Sequence, residues 1–242
     1  MNKKVKIAID IDEILRSKAR QFHRYYVEEF GEEGVPENPF TLDFFNEYKW
    51  NDVVETTKVL RDDIEIDKIN AISYHDDDGD GDIPVDSVIF NTEKVELTAK
   101  DVYNRFLYQD FVFEIFGSAQ KTYKDVDLDF AKFIKKYDKF VDFTIISKEN
   151  YFTIPPTLFF LSKVMSRCTK YIFYKKLEEI SDFDFYFTTN PNIINGFEKE
   201  KIIKFTRPYN QESENFSLEA ISLVDLFDNE EFQNKINYKN EE

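Results

Sequence analysis

Two aspartates one residue apart, Asp10 and Asp12, close the apolar run at 5–11. A strand that exits there brings both carboxylates toward one point, and such a pair can divide phosphoryl chemistry: one attacks phosphorus while the other handles a proton. A structural use is open too, with Asp12 capping the helix that follows. Ser147 ends a second apolar run, FTIIS at 143–147, a position where a hydroxyl commonly serves a turn or a cap. Lys163 and Lys170 follow it, and a lysine on a helix ordinarily faces water. A third run, FDFYFTTNPNIIN at 183–195, ends its strand in Thr188, Thr189 and Asn190. The acidic stretch HDDDGDGD at 75–82 places Asp76, Asp78, Asp80 and Gly81 at positions 1, 3, 5 and 6 of a calcium-loop template. Its position 12 is Ser87 instead of Glu, so a weak calcium site and a merely solvated acidic loop both stand as readings.

The elements that must position these groups are legible from hydrophobic spacing. Residues 5–11 form a short β-branched run bounded by charge, which reads as a buried parallel strand. Phe22, Tyr25, Tyr26 and Phe30 recur at helical spacing over 17–30, closed by Gly31 and Gly34. From about 36 to 129 the chain changes character, with Pro and Asn loops, helical stretches at 43–50 and 53–61, and a long aromatic helix opening near Thr98. That helix, VYNRFLYQDFVFEIF at 102–116, is apolar on more than one face and is expected either to be buried or to offer a contact surface. From 130 onward strands at 143–146, 171–174, 183–187 and 202–205 alternate with helices. Such alternation implies right-handed crossovers and a parallel sheet, with ligands at the carboxyl ends of its strands. One more apolar stretch at 218–227 precedes an acidic, amide-rich tail.

Composition narrows the function classes. With 42% hydrophobic and 17% aromatic residues the 242-residue chain is expected to fold. A formal charge of −16 argues against sequence-specific or general nucleic-acid binding, which draws on Lys and Arg displacing counterions. The lone Cys168 cannot close an internal disulfide, and the lysines after Met1 lead into a strand instead of an apolar signal core. No stretch approaches the ~18 apolar residues of a membrane span. A cytoplasmic setting without membrane insertion is expected. His23 and Cys168 read as packing residues and not as ligand or nucleophile.

The run IAIDIDEIL at 7–15 resembles the first motif of the haloacid-dehalogenase (HAD) superfamily, and the runs ending at Ser147 and Asn190 resemble its second and fourth. The gap of ~130 residues between the first two accommodates a helical cap, and the 5′-deoxyribonucleotidase branch is the nearest likeness. The resemblance, over about 4–210, implies an α/β fold: a HAD-like Rossmannoid parallel sheet flanked by helices, with a core at 1–35 and 130–242 and an inserted, mainly helical cap at 36–129. It also implies Asp10 as nucleophile and magnesium ligand, Asp12 as acid/base at the same metal, and Ser147 with Lys163, or else Lys170, on the phosphate.

At the fourth motif the family's acids are replaced by Thr188, Thr189 and Asn190, and neutral oxygens hold magnesium poorly. Glu149 or Asp184 would have to substitute, and Asp184 lies about 13 Å back along a strand at ~3.3 Å per residue. Two expectations follow. One is a non-catalytic HAD fold serving as a structural or interaction subunit among other protein subunits; the composition, rich in Lys, Asn, Ile, Phe and acids, resembles that of proteins from AT-rich genomes, tailed phages included, and a virion component such as a neck or tail ring subunit is the expectation that follows. The other is a magnesium-dependent phosphatase or 5′-nucleotidase.

Overall fold

Ile7 and Ile9 point into one apolar layer and Ala8 into another, all three fully enclosed. A strand covered on both faces has no need of polar alternation, and this is why the leading run is continuously apolar. The computed structural model describes residues 4–32, 34–54, 98–164 and 170–241. In it, β1 (Val5–Asp10), β2 (Val141–Lys148), β3 (Tyr171–Tyr174), β4 (Phe185–Thr188), β5 (Ile202–Phe205) and β6 (Leu218–Ala220) form one sheet in the order β3-β2-β1-β4-β5-β6. Every pairing is parallel. The chain builds outward from β1 through β2 to β3, then returns to the other side of β1 for β4, β5 and β6. The order therefore reverses between β1 and β4, and a crevice opens at such a switch point.

The helices with both ends among the described residues are α1 (Lys18–Phe30), α2 (Phe44–Glu47), α3 (Ala99–Arg105), α4 (Val126–Tyr137), α5 (Ile154–Val164), α6 (Pro191–Gly196) and α7 (Glu230–Glu241). One face of the sheet is covered by α4, α5 and α7, whose Phe133, Phe160 and Phe232 share a cluster with Ile7, Ile9, Phe187 and Phe205. On the other face, Ile193 and Ile194 of α6 pack with Ala8, Tyr174, Tyr186 and Ile202.

A second body of apolar side chains lies off the sheet. Ala19, Phe22 and Tyr26 of α1 join Phe44, Tyr48 and Trp50, and also Val102, Phe106, Leu107, Ile115 and Phe116. Phe22 stacks on Phe44 with ring centroids 4.0 Å apart. Thus α1, which the sequence groups with the leading strand, buries its apolar stripe against residues of the aromatic insert.

The strands expected at 171–174 and 202–205 coincide with β3 and β5; β2 runs two residues beyond the expected 143–146 at each end, and β4 starts two residues later and ends one residue later than the expected 183–187. Three further places stand out. The stretch at 218–227 divides into β6 and a 3-10 turn (Leu223–Leu226). The aromatic helix opens at Thr98 through a capping box with Asp101, as expected, but widens into π-helical turns at Phe106–Asp110 and Phe113–Gly117. At the second of these the chain runs close to α5: a side chain at Gly117 would meet Pro156 at 3.1 Å. The tail forms α7 because Phe232 and Ile236, four residues apart, dock on the sheet's main cluster. Among the described residues no helix is long and apolar enough to cross a membrane.

Candidate functional site

The carboxyl ends of β1, β2, β3 and β4 deliver Asp10, Lys148, Tyr174 and, just past β4, Asn190 to one cleft of about 690 Å³. Register explains the convergence: Asp10 lies opposite Ile146, beside Ser147 on β2, while Ile9 opposite Phe187 sets Thr188 level with Asp10. Phe44, Tyr103 and Tyr108 form the opposing aromatic wall.

After β1 the chain makes a tight turn in which the Glu13 amide donates to the Arg16 carbonyl at 2.7 Å and the Arg16 amide to the Ile11 carbonyl at 3.1 Å. Glu13 takes the left-handed conformation at φ 60°. This turn folds Arg16 and Lys18 back onto Asp12. Arg16, fully buried, donates from Nε to Asp12 Oδ1 at 2.8 Å, and its Nη2 lies 2.6 Å from the same oxygen and 2.7 Å from Glu149 Oε1. Its Nη1 donates to Thr157 Oγ1 at 2.7 Å and to the Phe116 carbonyl at 3.2 Å. The second carboxylate oxygen of Asp12, Oδ2, accepts from Lys18 Nζ.

The carboxyl groups respond in opposite directions. Burial, reinforced by the neighbouring charge of Asp12, pushes Asp10 above the usual carboxylate range, only partly offset by Lys18 and by the Thr188 hydroxyl that donates to its Oδ2 at 3.1 Å. Burial acts on Asp12 in the same sense, but Arg16 and Lys18 outweigh it and hold that group low. Glu13 is pushed up to about 7 by burial, with the Ala19 amide donating to its Oε1 at 2.7 Å as a partial offset. The ammonium of Lys18 is opposed by burial yet held above its ordinary value by Asp12 and Glu149.

Compared with models of protein families and with curated proteins, the chain matches none of them.

Of the residues singled out by sequence, Asp10 and Asp12 line the cleft together. The helix-capping use open for Asp12 falls to Glu13, whose carboxylate takes the Ala19 amide. Ser147, also buried, neither caps nor turns: its hydroxyl donates to Glu149 Oε1 at 2.9 Å, which Thr157 also reaches at 3.0 Å. Thr189 donates to the Asp12 carbonyl at 3.0 Å, and Asn190 caps α6 through the Asn192 amide at 2.9 Å. Lys163 is not among the cleft residues; its ammonium lies 3.9 Å from the Phe159 ring centroid and 3.4 Å from the Gly117 carbonyl. Lys170 pairs with Asp142. Asp184 sits at the far end of the sheet, accepting from the Lys6 amide at 2.8 Å. His23 lies beside the Tyr48 hydroxyl at 3.3 Å. Asp76, Asp78, Asp80 and Cys168 lie outside the described residues.

Sequence reasoning passed over Arg16 and Lys18 and weighed Glu149 only as a substitute acid. The available signal was the placement of two cations four and six residues after Asp12, in a segment whose neighbours Ile11, Ile14 and Leu15 are core residues. A charge there has to be buried with a partner.

Magnesium calls for several oxygen ligands in near-octahedral array, with carboxylates supplying the charge. Both oxygens of Asp12 are engaged by cations, Thr188, Thr189 and Asn190 offer hydroxyl and amide groups, and Asp10 Oδ2 is shared with Thr188. Among the described residues no three His, Cys, Asp or Glu side chains form a group that could hold an ion. This donor set does not fit magnesium.

Proposed function

We propose that this chain is a HAD-type fold that has given up catalysis and serves as a structural or interaction subunit of a larger protein assembly. The observation that carries the reading is the internal closure of the carboxylate centre. Asp12 is held by Arg16 and Lys18, and Ser147, the hydroxyl the family resemblance puts on phosphate, is bound to Glu149. A general acid/base has to exchange a proton with substrate, and a carboxylate held low between two cations is poorly suited to carry one at neutral pH.

An exposed aromatic surface supports the interaction half of the reading. Phe113 and Phe159 are 44% and 41% exposed with ring centroids 4.9 Å apart. Tyr151, Phe152 and Leu158, at the start and on the outer side of α5, are also exposed. Exposed apolar groups gathered on one element mark contact surfaces more often than exposed single side chains do. A phage neck or tail ring is the class of assembly that the composition suggests.

The alternative, a magnesium-dependent phosphatase or 5′-nucleotidase, draws support from one feature: Asp10 faces a cleft large enough for a small ligand and walled by aromatic rings. Hydrolysis of p-nitrophenyl phosphate and a panel of nucleoside monophosphates with magnesium, run beside Asp10→Asn, separates the two. The subunit reading expects no difference between the wild-type chain and Asp10→Asn. Turnover that disappears in Asp10→Asn would establish the enzyme and end the subunit reading.

A further inference from the structure

The cleft holds its own cation. Lys18, the first residue of α1, is carried by the turn after β1 onto Asp12 Oδ2, with its side chain 12% exposed and that of Asp12 8% exposed. Its ammonium lies 5.5 Å from the Phe116 ring centroid and 5.9 Å from that of Phe44, within cation–π range of both rings. It also acts electrostatically on Asp10, whose carboxyl lies on the same cleft wall. Behind it, Arg16 neutralises the other oxygen of Asp12 and reaches Glu149.

We propose that the ammonium of Lys18 is the built-in counter-cation of this centre, occupying Asp12 Oδ2 in the cleft that Asp10 also lines, so that the wild-type chain excludes divalent ions from that cleft. The physical basis is competition for the same oxygens. A covalently tethered ammonium is present at a high effective concentration and cannot diffuse away. A divalent ion must displace it, leaving a lysine in a partly buried position without its carboxylate, and must also shed water, which magnesium does reluctantly. Arg16 cannot take over on Oδ2 because its guanidinium is fixed by Glu149, Thr157 and the Phe116 carbonyl. Removing the Lys18 ammonium therefore vacates an anionic oxygen facing the cleft beside Asp10. The inference deepens the non-catalytic reading and rests on it for its biological meaning, while its test reads metal occupancy and not turnover.

The test is manganese binding, followed by loss of the six-line electron paramagnetic resonance signal of the free ion, on the full chain at pH 7. Wild type, Asp10→Asn, Lys18→Ala, Lys18→Gln and Lys18→Ala/Asp10→Asn are compared. The acidic stretch at 75–82 is common to all five and cancels in the comparison. Lys18→Ala is expected to gain one site binding manganese at least tenfold more tightly than anything the Asp10→Asn change removes from wild type, and Lys18→Gln to gain it too. The double variant loses the gain. Circular dichroism establishes that each variant is folded, and Lys18→Gln stands in if Lys18→Ala is not. Stoichiometric manganese binding by the wild-type chain that Asp10→Asn abolishes would overturn the proposal, whatever the variants do. So would folded Lys18 variants that bind no more manganese than wild type. Orthophosphate in place of manganese provides a second reading: stabilisation of wild type but not of Lys18→Ala would make Lys18 an anion ligand and overturn its role as counter-cation.

Discussion

Replacing Arg16 with methionine keeps most of an unbranched apolar stem and removes the guanidinium alone. In the wild-type chain that group is fully buried and pairs with Asp12 at 2.6 Å and Glu149 at 2.7 Å, with Thr157 and the Phe116 carbonyl as further acceptors. Its loss leaves two buried carboxylates short of their main counter-charge, for which breaking a buried pair typically costs about 3–5 kcal/mol. At about 2–4 °C per kcal/mol for a chain of this size, Arg16→Met is expected to melt roughly 6–20 °C lower. Urea unfolding at pH 7 followed by circular dichroism gives the free-energy difference, and an unchanged slope assures that the same transition is compared.

The pH dependence adds a sign. Asp12 is held below its usual value of 3.8 by Arg16 and Lys18 against the opposing effect of burial, so its contribution is present above that pH and is lost as the pH falls through the depressed value. The gap between wild type and Arg16→Met is therefore expected to be widest at neutral pH and to narrow as the pH falls below 3.8 toward the depressed value. Adding Glu149→Gln removes one uncompensated charge and is expected to recover more than about 1 kcal/mol of the loss, as coupled neighbours do. A loss below about 1 kcal/mol at pH 7 with an unchanged slope would show that the buried network is not a principal tie between the turn after β1, β2 and α5.

Further outcomes follow from the same geometry. Glu13 is pushed up to about 7 by burial from an ordinary 4.5. Its stabilising share is complete below pH 4.5 and is lost as the pH rises through 7, so Glu13→Gln, which keeps an acceptor for the Ala19 amide, should gain about 1–3 kcal/mol on wild type between pH 5 and pH 8. Urea midpoints at the two pH values check this, and a constant difference would contradict it. Phe133, enclosed by Tyr137, Phe143, Phe187 and Phe232, should cost about 3–5 kcal/mol as Phe133→Ala, measured by the same unfolding. Thr188→Val strips the Asp10 carboxyl of a donor at 3.1 Å and the Asn190 amide of an acceptor at 2.9 Å. It should cost about 1–3 kcal/mol and move the Asp10 titration, followed by carboxyl-carbon NMR, further upward.

The sequence by itself located five of the six sheet strands and placed Asp10 at the carboxyl end of the first. A strand buried on both faces is apolar throughout its buried length, so residues 5–11 and 143–146 declared themselves locally, while 171–174 and 202–205 showed as short aromatic and β-branched runs, and Asp10 could only emerge where the first run stopped. The neutral character of Thr188, Thr189 and Asn190 was legible for the same reason, since residue identity needs no fold. Strand order needed the tertiary structure, because pairing β1 with both β2 and β4 depends on contacts more than a hundred residues apart. The tail helix α7 needed it as well: two apolar residues in a polar stretch have no burial until a sheet face is there to receive them. Above all, only the folded chain decided the state of the carboxylates. Arg16 lies four residues from Asp12 but 133 from Glu149, and whether a charge is solvated or locked depends on what surrounds it in three dimensions. Electrostatic energy follows distance and dielectric, and neither is written in the order of the residues.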